Sequence, residues 1–153
     1  MKFVSFCFVS ALALSACLSQ AADSGNMAVT ANVAGTCKFL ATPDAAFGAL
    51  DPAVGNNATA SAAVKFWCSK NATYSLAADN GANYDTSTSR RRLKGPGTND
   101  YIPYNLSPIA ASGTGLGKSS PITVTVGGTI QGADYVNATQ GNYSDVVQLS
   151  ITP

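Results

Sequence analysis

Between residues 60 and 68, apolar side chains fall at every second position. Ala60, Ala62, Val64, Phe66 and Cys68 alternate with Ser61, Ala63, Lys65 and Trp67. A period of two belongs to a strand with one buried face, because successive side chains of a strand point to opposite sides of the sheet. Cys37 and Phe39 share a face opposite Lys38 in the same way. Both cysteines therefore sit on apolar faces and point toward one interior, which predicts a Cys37–Cys68 disulfide. It would close a loop of about thirty residues and contribute on the order of 3 to 4 kcal/mol by the chain-entropy model. Two free thiols with a redox role are the alternative, but no Cys-x-x-Cys spacing supports it.

Further alternating runs follow. Tyr74 and Leu76 point inward within 73–77, a segment runs from Tyr101 to Leu106, and Ile122, Val124 and Val126 alternate with Thr123 and Thr125. Tyr143 to Ile151 reads as a closing strand, with Val147, Leu149 and Ile151 on one face against Val146, Gln148 and Ser150. Asn80-Gly81, Gly95-Pro96-Gly97, Gly113-Thr114-Gly115 and Gly127-Gly128 read as turns or bulges between the runs. All eight acidic residues are Asp, none is Glu, and strong helix formers are scarce apart from Ala. At 153 residues, the chain predicts one all-β domain, a β-sandwich of about six strands after Cys37.

The same composition narrows function. With no His, the usual general base and commonest metal ligand are missing, so the expectation is no enzyme, no metal and no cofactor. Half of the aspartates, Asp44, Asp51, Asp79 and Asp100, stand beside Asn or Pro, where turns want them, rather than in carboxylate pairs. The segment from Met1 to Ala21 reads as an export signal: Lys2, an apolar run from Phe3 to Leu14, then small residues up to Ala21-Ala22. Leu14-Ser15-Ala16-Cys17 also resembles a short lipobox, so a lipid anchor on Cys17 is the competing reading. Removal of the leader leaves eight basic against eight acidic residues, and a neutral domain offers no field for nucleic acid or anionic lipid. Neither nucleic acid nor direct membrane insertion is expected. Five Asn-x-Ser/Thr strings, at Asn57, Asn71, Asn105, Asn137 and Asn142, are what chance yields in so Ser-, Thr- and Asn-rich a chain.

Residues 27–33 complicate the strand count. Met27, Val29, Ala31 and Val33 alternate with Ala28, Thr30 and Asn32, so this is a further strand, surplus to the sandwich. The chain ends two residues after Ile151, where an immunoglobulin-like sandwich would have one more strand. A sandwich lacking that strand exposes an apolar groove and two unpaired edges, which are aggregation-prone unless another strand fills them. Residues 27–33 have the character to do so for a neighbouring copy. The alternative is an ordinary first strand of a self-complete sandwich, a secreted or lipid-anchored binding module.

A set of short strings then resembles a known family. They are Cys37-Lys38-Phe39, Phe47-Gly48-Ala49-Leu50-Asp51-Pro52, Trp67-Cys68, Tyr74-Ser75-Leu76, Arg90-Arg91-Arg92-Leu93, Tyr101 to Leu106, Val126 to Ile130, and Gly141 to Val147. In order and spacing they resemble the spore coat protein U domain, which includes subunits of Csu-type, or archaic, chaperone-usher pili. Two departures stand out: Leu93 where a Met is usual, and no aromatic residue at Thr125. The resemblance implies an incomplete immunoglobulin-like sandwich over 35–153, preceded by a donor extension at 22–34. It implies export through the periplasm with a chaperone that lends a strand, then an outer-membrane usher that exchanges it for the extension of the next subunit. The partners are thus further copies or related pilins, and the product is a surface pilus serving adhesion and biofilm formation. Carried onto this chain, Met27, Val29, Ala31 and Val33 are donor plugs. Val147, Leu149 and Ile151 line the acceptor groove, an assignment that rests on parity. Arg90–Arg92 is read as a solvated loop rather than a site for an acidic partner. Trp67, Tyr101, Tyr104 and Tyr143 are read as core or rim packing rather than a sugar platform.

Overall fold

The run at 60–68 lies in the longest strand of a computed structural model that describes residues 21–108 and 110–153. The export-signal reading of 1–20, with Cys7 and Cys17, lies outside the described residues. The chain divides after Asn32. Residues 21–32 carry no strand or helix and are exposed throughout. From Val33 onward, eight strands are described: β1 (Cys37–Ala41), β2 (Ala58–Cys68), β3 (Thr73–Ala78), β4 (Arg91–Lys94), β5 (Tyr101–Ser107), β6 (Ala110–Thr114), β7 (Ile122–Ile130) and β8 (Leu149–Thr152). The one helical element among the described residues is a 3-10 turn at Gly132–Asp134. No helix among the described residues is long and apolar enough to cross a membrane.

The strands form two antiparallel sheets, one ordered β1-β2-β7-β5-β4 and the other β6-β3-β8. The all-β sandwich expected from the alternation is what forms, with more strands than the six counted. β4 and β6 account for the difference. Both are short, and neither has a clean apolar alternation: β4 reads Arg-Arg-Leu-Lys and β6 reads Ala-Ala-Ser-Gly-Thr. Tertiary pairing with β5 and β3, not local pattern, makes them strands.

The buried face of β2 is the one its parity selects: Ala62, Val64, Phe66 and Cys68 are buried while Ser61, Ala63 and Lys65 are exposed. Phe66 and Cys68 join Val64, Leu76 and Val126 in one core cluster, and Ile102, Tyr104, Ile130 and Tyr135 form a second. Leu106 packs against both and so joins them. Phe66 is fully buried, with Phe39 and Tyr74 edge-on at 6.4 and 5.0 Å. A side chain of that kind contributes about 1.5–3 kcal/mol by burial.

Cys37 and Cys68 are bonded, and they face each other directly across the β1–β2 ladder. The disulfide therefore ties the edge strand β1 to its neighbour within one sheet. Thr36 O accepts the Ser69 amide at 2.8 Å, continuing the ladder one pair beyond the bridge.

Two glycine signals have a different cause from the one expected. Gly127-Gly128 is not a turn but part of β7, opposite Ser61 and Ala60. A Cβ at Gly128 would stand 2.8 Å from the Phe47 ring, so the missing side chain makes room for an aromatic cover. Gly113 and Thr114 likewise lie inside β6, and only Gly115 falls at its end.

Candidate functional site

The three-stranded sheet ends at β8, whose one edge pairs with β3 and whose other edge has no partner among the described strands. β1 ends the larger sheet and approaches β8 across the interior. Two open edges thus flank one side of the sandwich. Phe39, Cys37, Leu149 and Ile151 pack there against the first core cluster, all only partly buried, unlike Val64 and Phe66 beneath them. Val147 packs against the second cluster instead. Along this final segment Val147, Leu149 and Ile151 are half-buried, while Val146, Gln148, Ser150 and Thr152 are exposed. The inward parity is as the sequence has it, but the ladder is shorter: β8 begins at Leu149, not Tyr143.

The segment before β8 is held by isolated backbone and side-chain hydrogen bonds rather than by a regular ladder. Asp79 N–H donates to Gln148 O and Gln148 N–H donates to Asp79 Oδ1, both at 2.9 Å. Ala82 N–H donates to Val146 O at 3.0 Å, and Lys94 and Ser144 exchange two backbone hydrogen bonds. Asp145 accepts from Asn83 N at 3.1 Å, from Asn83 Nδ2 at 3.0 Å and from the Tyr104 hydroxyl at 2.6 Å. Burial, and then the bond to this carboxylate, push the Tyr104 phenol well above its ordinary range. The sequence reading found none of this clamp, although Asp145 lies inside the Gly141–Val147 string.

The three arginines form part of β4 and its edge rather than a solvated loop, and each serves the fold. Arg90 grips Asp134 with two hydrogen bonds, at 2.8 and 3.3 Å. Arg91 donates to the Asp79 carbonyl. Arg92 donates to Asn83 O at 3.1 Å and to Asp85 at 3.2 Å, with its guanidinium 4.1 Å over the Tyr101 ring. The 79–85 loop that clamps 145–148 is thus itself stapled from the strand beside it. Asp85 is lowered from 3.8 to about 2, chiefly by the side chains of Ser87 and Thr88 and less by Arg92.

The segment 27–33 forms no strand in this structure, and Met27, Val29 and Val33 are 85%, 83% and 87% exposed, with Ala31 exposed as well. Among the described residues, no three carboxylate or thiol side chains converge as metal ligands.

The model of the family described as Spore Coat Protein U domain matches residues 23–150. A comparison with curated proteins gave no match. Among solved structures, the chain is similar to a chain of the CsuC–CsuE chaperone–tip adhesion subunit pre-assembly complex from archaic chaperone-usher Csu pili of Acinetobacter baumannii. Identity there is 18%, the TM-score is 0.52, and the match covers 78% of this chain and 40% of that one. At that identity the likeness is one of fold: the all-β sandwich. With the family match running from the exposed extension through seven strands and into β8, the chain belongs to the Spore Coat Protein U domain family.

Proposed function

We propose that this protein is an exported structural subunit of a surface pilus that polymerises by donating a strand, rather than a catalyst. The observation that carries the reading is the unpaired edge of β8, lined by half-buried Leu149 and Ile151, in a chain that also bears an exposed alternating segment at 27–33. Seven extended residues reach roughly 24 Å, the length of a full sandwich strand. In β-strand addition, main-chain hydrogen bonds supply affinity, and alternate side chains supply register. Here Met27, Val29, Ala31 and Val33 of one copy enter the cleft between β1 and β8 of the next, where Leu149 and Ile151, with Val147 beyond them, receive them.

Before polymerisation the open edge needs a temporary cover. A periplasmic chaperone supplies it, in keeping with the chaperone–subunit complex among the similar structures, and an outer-membrane usher exchanges that loan for the next copy's extension. In this reading residues 1–21 are a cleaved leader, 22–34 the donor extension and 35–153 the acceptor domain, and the product serves adhesion and biofilm formation.

The test is a gel of the exported chain from Ala22 onward, run unheated and heated, beside Val29→Asp. A heat-sensitive ladder from the parent that is lost in Val29→Asp is the expected result, because a carboxylate would have to enter an apolar cleft. A single monomer band from both defeats the reading and favours a self-complete sandwich.

A further inference from the structure

The sandwich is electrically polar along its strands. One end is built from the start of β1, the end of β2, the start of β3, the start of β7 and the end of β8, as the pairings Cys37–Cys68, Phe66–Ile122, Thr73–Thr114 and Ser75–Thr152 require. Lys38, Lys65, Lys70 and Lys118 stand exposed at or near this end. The segments that compose it, 33–38, 65–73, 114–123 and 150–153, contain no aspartate. Lys70 borders the turn next to Lys118, since a Cβ on Gly117 would lie 3.8 Å from that of Lys70.

The other end collects the acids. Asp79, Asp85, Asp100, Asp134 and Asp145 lie on its loops, and the basic residues there are engaged locally: Arg90 with Asp134, Arg92 with Asp85, Arg91 on the Asp79 carbonyl and Lys94 beside Tyr101. Asp79, Asp100 and Asp145 have no salt-bridge partner among the described residues, and nor do Arg91 and Lys94, so the five aspartates of this end outnumber its four basic residues by one and lend it a small negative excess.

The basic end is also where the chain leaves for the extension. A Cβ on Gly35 would lie 3.5 Å from that of Pro153 and 3.6 Å from that of Ala72. From Val33, the last apolar position of the segment, to Thr36, which already pairs with Ser69, the chain reaches no more than about 10 Å. That is about one Debye length at 0.1 M salt, so charges brought together by so short a tether still feel each other.

We infer that the lysine-bearing end of one copy docks on the aspartate-bearing end of the next, and that this contact sets the direction of strand donation. The inference rests on the strand-donor reading above. If the segment ran antiparallel to β8 of the acceptor, its Val33 end would emerge at the acceptor's acidic end, bringing lysines to aspartates. If it ran parallel, Val33 would emerge at the basic end and bring lysines to lysines. The two directions bury the same side-chain face, so apolar packing alone does not choose between them. Charge does. Repetition of the favoured contact is heterologous and non-closing, so it generates a fibre rather than a closed dimer.

The experiment follows ladder growth from the refolded full chain, starting at Ala22, at low and high salt. It is repeated with Lys70→Glu/Lys118→Glu, and with that pair combined with Asp100→Lys. Capture of a labelled peptide of residues 26–34, which carries the donor side chains but no domain, is measured in parallel. The expected result is growth that slows in salt for the parent, and growth about 10-fold slower and salt-independent for the lysine reversal, with partial recovery in the combined variant. Peptide capture stays unchanged throughout. Growth of the lysine reversal at the parent rate, with the parent's salt response and normal peptide capture, overturns the inference and leaves strand donation intact. Failure of every version, parent included, to capture peptide overturns strand donation itself and this contact with it.

Discussion

Asp145 joins three parts of the chain that are remote in sequence, through acceptor bonds from Asn83 and Tyr104 and through its own place just before β8. It has no basic partner among the described residues, where its charge is held by hydrogen bonds. Tyr104→Phe removes the 2.6 Å donor and leaves a half-buried carboxylate oxygen short of a partner. The expected loss is about 1–3 kcal/mol in chemical denaturation. Asp85 gives the complementary pH prediction. Its folded value of about 2 lies below the ordinary 3.8, so its contribution is present above about pH 4 and disappears as pH falls toward 2. Asp85→Asn should therefore lower thermal stability at neutral pH, and the gap to the parent should close across that acid window. An unchanged gap at pH 2 would contradict the assignment. Neither residue's role was legible in the sequence. Asp134 lies 44 positions from Arg90, and Asn83 lies 62 from Asp145, so the arginine run reads locally as solvated charge while its partners arrive only with the fold.

At the scale of the element, what made β2 readable is that one of its faces is buried and the other is not, which writes the alternation directly into the sequence. The same parity carried through Val147, Leu149 and Ile151, although the ladder begins later than the pattern does. β4, β6 and the Gly127-Gly128 doublet were not readable, because pairing partners and the Phe47 ring decide them. The two faces of the final segment also supply a paired test. Ile151→Asp puts a charge on the inward side of β8 and should abolish capture of a 26–34 peptide by the folded chain. Val146→Asp, at a position 73% exposed, should leave capture within about twofold. Equal effects from both would remove the inward face from the acceptor. The disulfide belongs to the same scale, since it fastens edge strand β1 to β2 across a separation of 31 residues. Replacing Cys37 and Cys68 together by Ser should cost about 3 to 4 kcal/mol by the loop-closure model, read as a lowered denaturation midpoint and a lower exported yield.

Over the whole molecule the two sheets present four edges, β1, β4, β6 and β8, and these are not equally open to another strand. β4 carries Arg91, Arg92 and Lys94 and is held to the loops around it, the kind of charged edge that resists pairing. β6 is a short run of small residues, with mostly exposed side chains and no apolar strip to reward a partner. β1 has a register shift between Phe39 and Ala41 that breaks its outer half. Among the described strands, only β8, together with the first residues of β1, combines open backbone groups with a strip of half-buried apolar side chains. Backbone hydrogen bonding alone is generic, so it is the apolar strip that selects one edge out of four. Hydrogen exchange separates these cases in a single experiment. On adding peptide 26–34 to the folded chain, amides in 149–152 and around Cys37–Phe39 should gain protection by an order of magnitude or more, while those in 91–94 and 110–114 keep their rates. Protection appearing at β6 or β4 instead would move the acceptor to another edge. Protection appearing nowhere would mean that β8 accepts no donated strand.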